Sequence, residues 1–148
     1  MNAKEFLRQI KKLDKLIENK LAEVQKWKEI ASNTSPNMTG ERVQASGNPQ
    51  RIADAICRYI DLEREINKDI DNLIEIKKSV INVIEKLNTT EYDVLHKVYV
   101  QGFSFDEVAI ACKRSRSWAT TVHGRALKHV QNILDKKEIE SVTKLYVL

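Results

Sequence analysis

Apolar residues recur at alternating spacings of three and four along most of the chain, with polar helix formers between them. From about Asn2 to Ala31 they fall at Phe6, Ile10, Leu13, Ile17, Val24, Trp27 and Ala31. That rhythm marks an amphipathic helix with a narrow, coiled-coil-like seam. Lys20 interrupts the seam, and Leu21 beside it is expected to continue the stripe. A second stripe, from about Gln50 to Leu87, runs through Ile52, Ile56, Tyr59, Ile66, Ile70, Leu73, Val80, Ile84 and Leu87. Glu63 and Lys77 stand where apolar residues are due, and Leu62 and Ile76 are placed to substitute for them. At 1.5 Å per residue the two helices would span roughly 45 and 55 Å. Neither can bury its stripe alone, so they are predicted to pair as an antiparallel hairpin, with a second copy of the chain, or both. The carboxylates of the second helix alternate with bases, which reads as a solvated face rather than a metal site.

Between the helices, Ser32 to Pro49 holds both prolines and two of the four glycines. It reads as a connection longer than compact domains usually contain, with Arg42, Val43 and Gln44 as its residues suited to docking. After the second helix, Asn88-Thr89-Thr90 offers caps for a third, from about Thr90 to Val100, with Tyr92, Val94, Leu95, Val98 and Tyr99 as its apolar set.

From Gly102 to Leu127 the pattern shortens to two helices joined by a tight turn. Ser104 followed by Glu107 is a capping box. Gly102 before it suits a left-handed turn that closes the preceding helix. Ser115 supplies a second N-cap and leaves Lys113-Arg114 in the turn. On a helical wheel, Ala119, Val122, Ala126 and Val130 share one face, which must pack. Ser117, Thr120, Thr121, Gly124 and Lys128 lie broadly opposite, with Arg116 at the N-terminal tip. Small hydroxyls and a glycine pack poorly but let a backbone approach something large, which would account for the roughly 1 kcal/mol that a helical glycine costs against alanine. Ala126 to Ile139 extends this helix, and Ser141 to Leu148 is a tail whose final apolar residues could dock on the core or a partner. The chain is therefore expected to be all-α: a long helical hairpin over residues 1–87, a helix-turn-helix over 88–140 and a tail over 141–148.

Charge sharpens the second short helix. The net charge is only +4, but no acid lies between Glu107 and Asp135, while Lys113, Arg114, Arg116, Arg125 and Lys128 supply five positive charges. Ala53 to Lys86, by contrast, holds eight acids against six bases. A basic stripe of this kind suits double-stranded DNA. The first helix is also basic, but its eight bases are mixed with five acids, which favours helix packing over a membrane surface. Cys57 and Cys112 lack metal-ligand spacing and read as two buried thiols in a reducing compartment. No apolar run is long enough to span a bilayer, and Lys4, Glu5 and Arg8 leave no signal-peptide core. A cytoplasmic protein without a cofactor or metal is expected. No Gly-rich phosphate loop, zinc-binding set or nucleophile motif appears, so no enzyme is expected. His96, His123 and His129 have no acid at informative spacing, and the last two read as flank or backbone-contacting residues.

From Leu87 to Leu134 the chain resembles region 4 of bacterial sigma factors. The resemblance is carried by Leu87, Val94-Leu95, Tyr99, Gly102, Ser104, Glu107-Val108-Ala109, Ser115, Val122 and Arg125-Ala126-Leu127. With Arg42-Val43-Gln44-Ala45-Ser46 upstream and His123-Gly124-Arg125-Ala126-Leu127, it extends to phage and prophage sigma-like regulators related to the ArpU and RinA late-transcription activators. It covers about Thr39 to Leu134. By position, the resemblance implies that Arg116, Ser117, Thr120 and Thr121 read base edges, while Lys113, Arg114, Arg125 and Lys128 contact phosphates. The chain departs from that family at the turn. Lys113 stands where glycine is common, and Arg114 where an apolar residue usually locks the two helices. Trp118 at the flank is expected to pack.

The function so implied is a sequence-specific DNA-binding transcription regulator of phage type, a late-gene activator acting with host RNA polymerase as a homo-oligomer, with a dimer favoured. No segment resembles sigma region 2, so a self-sufficient sigma factor is not expected. Two other functions fit the same elements: an oligomeric small-terminase-like subunit for DNA packaging, and an interaction module that binds RNA polymerase.

Overall fold

A computed structural model describes residues 1–32 and 49–146, and these are predominantly helical, without a strand among the described residues. The helices are α1 (Ala3–Ser32), α2 (Pro49–Ile84), α3 (Thr89–Leu95), α4 (Phe105–Cys112) and α5 (Arg116–Tyr146). A π-helical turn, His96–Val100, continues α3. Arg42, Val43 and Gln44 lie outside the described residues. No helix among the described residues is long and apolar enough to cross a membrane.

Each helix starts where local chemistry satisfies its free N–H groups. Asn2 and Glu5 cap α1 reciprocally: the Asn2 Oδ1 accepts from Glu5 N–H at 2.8 Å, and the Glu5 carboxylate accepts from Asn2 N–H at 3.3 Å. Pro49 opens α2, where its missing N–H would have had no helical partner. Asn88 caps α3 by accepting from Glu91 N–H at 2.9 Å. α2 stops at Ile84, short of Leu87, because Lys86 and Leu87 donate to Val83 and Ile84 in a tighter turn. The third helix also ends early in its α form. Gln101 N–H reaches back to the His96 carbonyl, five residues away, which is the wider π spacing.

The chain divides into two compact units, Leu13–Leu73 and Met1–Lys12 with Ile74–Leu148. Within the first, α1 and α2 run antiparallel: Lys20 meets Glu65 and Asp69, whereas Lys28, further along α1, meets the earlier Glu63. Ile17, Val24, Leu62 and Ile66 form the buried seam, with Leu13, Trp27, Tyr59 and Leu73 packed against it. Leu62 does take the place that Glu63 vacates. Three expectations fail here. Leu21 does not continue the α1 stripe but is exposed; Lys20 keeps the seam position, its ammonium held by two carboxylates. The hydrogen bond from Lys20 to Asp69 raises the ammonium above its ordinary pKa. Ile70 is likewise exposed rather than buried. Cys57 also lies on the surface, against the expectation of two buried thiols; Cys112 is half-buried, and both are free.

In the second unit, Val94, Val108, Ala119 and Val122 form the core, with Val98, Phe103, Phe105, Cys112 and Trp118 packed around them. The start of α1 docks here as well. Leu7 and Ile10 are fully buried, and Ala3 N–H donates to Gln131 of α5 at 2.8 Å. α5 is a single helix through Tyr146, so the described part of the expected tail continues it, with Val142, Leu145 and Tyr146 exposed.

Candidate nucleic-acid interface

α4 and α5 are joined by Lys113, Arg114 and Ser115, and both ends of this turn are chemically closed. Ser104 starts α4 by accepting from Glu107 N–H at 3.2 Å; its hydroxyl donates in turn to the Glu107 carboxylate, where a capping box would use the backbone N–H. Gly102, at φ 78°, makes the left-handed turn that precedes it. α4 ends on Lys113 in the left-handed conformation, φ 56° and ψ 44°, the one non-glycine residue with positive φ among the described residues. Arg114 N–H then bonds the Ala109 carbonyl at 2.9 Å. Ser115 restarts the chain as a helix by accepting from Trp118 N–H at 3.1 Å.

This geometry fixes the exposed face of the first turns of α5. Ala119, Val122, Ala126 and Val130 are buried as the wheel requires. Arg116, Ser117, Thr120, Thr121, Arg125 and Lys128 are all exposed, as are Lys113 and Arg114 in the turn. All eight candidate residues are therefore exposed, but Arg116 and Arg125 lie about 180° apart around the α5 axis, on the two borders of the solvent-facing side. The Thr120 and Thr121 hydroxyls donate to the Ser117 carbonyl at 3.0 and 2.8 Å, which leaves their oxygens as acceptors toward solvent. A β-carbon added at Gly124 would meet nothing within 4 Å, so the fold itself does not require glycine there.

The cations differ in their freedom. Arg125 and Lys128 have no ion pair among the described residues. Arg114 lies over the Trp118 ring, 5.6 Å from its centroid, and Trp118 packs on the core, so the turn arginine is braced by an aromatic wall. Arg116 reaches Asp106 of α4 at 3.6 Å. The stretch that is acid-free along the chain therefore has an acid beside its leading arginine in space. Residue spacing could not show this, because Asp106 lies in the preceding helix.

Two histidine contacts tie α5 to neighbouring elements. His123 is buried, hydrogen-bonded through Nε2 to the Tyr99 hydroxyl at 2.7 Å and met edge-on by Phe105. It is thus a core residue and not a flank residue. Burial lowers the His123 pKa, and the positive charges of Lys4 and Arg8 push the same way. Burial also raises the Tyr99 phenol. Exposed His129 holds the buried Glu91 carboxylate at 2.8 Å, tying α5 to α3. Asp93 bridges Lys97 and the Cys112 thiol, whose pKa is raised by burial and then by Asp93. No family model, curated protein or solved structure matches the chain.

Proposed function

We propose that the chain is a sequence-specific double-stranded-DNA-binding regulator of transcription, acting as a dimer, of the kind that phages use to activate late genes with host RNA polymerase. In this reading α4, the turn and α5 form a sigma-region-4-like helix-turn-helix, and paired α1 and α2 form the oligomerising part. The observation that carries it is the surface around the start of α5. The candidate side chains of the turn and α5 are cationic or small and hydroxylic, with Asp106 of α4 beside Arg116, and Gly124 among them has open space where the fold would accept a larger residue. A groove wall approaching that backbone would give the glycine its reason. Arg116 can grip guanine through O6 and N7, and the threonine oxygens can accept from base amino groups. Lys113, Arg114, Arg125 and Lys128 supply phosphate contacts that hold register without specifying sequence.

Binding of the full chain to DNA fragments flanking its own gene, titrated with salt, tests this. Arg116→Ala should weaken the specific complex by about 1–3 kcal/mol and relax preference at one base pair. Lys128→Ala should weaken specific and random DNA alike and lower the salt slope by about one. Absence of any salt-sensitive specific complex would overturn the proposal. A discrete ring of many subunits would point instead to DNA packaging.

A further inference from the structure

We infer that one flank of α2 is the docking surface for a second copy of this chain, seated antiparallel about a two-fold axis at Glu65. This rests on the dimer in the reading above, but not on DNA binding.

α2 has more apolar surface than α1 covers. Its seam toward α1 is buried at Ala55, Leu62 and Ile66. A second row leaves Ile60 38%, Ile70 39% and Ile74 46% exposed, with Ile56 half-buried. Three large β-branched residues in the open, regularly spaced on one helix, are more than scattered surface hydrophobics.

The row consists of Ile56, Ile60, Glu63, Asn67, Ile70 and Ile74. Its spacings of four and three alternate, as knobs-into-holes packing requires, and read the same from either end. Centred on Glu65, an antiparallel second copy sets Ile56 against the partner's Ile74 and Ile60 against the partner's Ile70. Glu63 then faces the partner's Asn67, so an amide donor meets a carboxylate acceptor, and the symmetry makes the contact twice. A parallel copy would set carboxylate against carboxylate. A slip of one heptad would set Glu63 or Asn67 against isoleucine and leave buried polar groups unmatched, so the polar layers select the register.

Charge permits the burial. Glu63 is already met by Lys28 of its own chain at 2.9 Å, so its carboxylate enters the interface with a counter-ion. The seam would run about 27 Å along each α2, with both α1 helices outside it, in the manner of a four-helix bundle.

Sedimentation equilibrium of the full chain, without DNA, tests the surface. Wild type should sediment at twice the 17.1 kDa chain mass. Ile60→Gln/Ile70→Gln should sediment at the single-chain mass with its helical circular dichroism retained. Register is read in a Cys57→Ser/Cys112→Ser background. Mixing Ile60→Cys chains with Ile70→Cys chains should give disulfide-linked pairs of one chain of each, and neither variant alone should link. A wild-type monomer would overturn the dimer and this surface together. A dimer that survives the glutamine substitutions and gives no mixed link would overturn this surface alone. Linking of Ile60→Cys chains to themselves would overturn the antiparallel register. DNA binding is measured separately, so loss of that reading would leave these outcomes unchanged.

Discussion

At the residue scale, two positions hold conformations or side chains that the fold would exchange for better ones. Gly124 lies within α5, where glycine costs roughly 1 kcal/mol against alanine, and a β-carbon there meets no neighbour. Gly124→Ala should therefore stabilise the chain by about that amount, raising the melting temperature by about 2–4 °C. On the proposed function it should also weaken DNA binding, because the added methyl group would stand between helix and groove. Stabilisation with undiminished affinity would remove the close approach. Lys113 presents the opposite case, a side chain where glycine would be easier. Its left-handed backbone costs about 1 kcal/mol, part of which a glycine would lose again in unfolded-chain entropy. Lys113→Gly should raise stability by up to about 1 kcal/mol in denaturant unfolding while removing one cation from the turn. The salt slope of DNA binding should fall by about one, which reports whether that lysine meets a phosphate.

At the element scale, the packing beneath α5 makes a prediction about pH. His123 joins α5 to Tyr99 in the π-helical turn and to Phe105 of α4, and Lys4 and Arg8 of α1 bear on it electrostatically. Its folded pKa is lowered from the ordinary 6.5, chiefly by burial. Above the ordinary value both states are neutral at this residue, and it contributes no pH dependence. As pH falls below it, the unfolded state takes up the proton more readily, so stability is lost until the folded pKa is passed. Unfolding free energy should thus be lower at pH 5.5 than at 7.5, and His123→Gln should reduce that difference. An equal difference in both proteins would assign it to other groups.

This contact also marks how far the elements could be read from sequence. The starts of α1, α3, α4 and α5 lie within a residue or two of expectation, because capping and spacing act over three or four residues. The buried face of α5 follows from the wheel for the same reason. What periodicity does not reveal is which flank of a stripe receives a neighbour. Leu21 and Ile70 fit the helical rhythm yet stay exposed, while Lys20 fits it badly and is kept by carboxylates of the other helix. His123 with Tyr99, His129 with Glu91 and Arg116 with Asp106 each join different elements. No local spacing encodes those pairs. The candidate interface was accordingly legible as a set of exposed side chains, whereas the acid that restrains its leading arginine was not.

At the scale of the whole molecule, charge and symmetry combine. Leu13–Leu73 carries nine bases and eleven acids, which leaves sixteen bases against ten acids in the unit that holds α4 and α5. The positive field thus belongs to the unit with the proposed DNA surface, and the unit that holds Ile60 and Ile70 is close to neutral. Close approach of two near-neutral flanks meets little repulsion at physiological ionic strength, where fields fade over about 8 Å. A two-fold dimer would then present two equivalent basic surfaces, and its operator should hold two inverted half-sites about 34 Å apart or a multiple of that. If Lys113, Arg114, Arg125 and Lys128 of each chain all meet phosphates, as proposed, a single half-site should give a salt slope near −3.6, at about −0.9 per contact. Wild type on the full operator should give about twice that slope. Ile60→Gln/Ile70→Gln, which leaves every one of those cations in place, should give the single-site slope on either DNA. Footprinting and salt titration of both proteins on the same fragment check this together: equal slopes would mean that one chain binds at a time, whatever the mass in free solution.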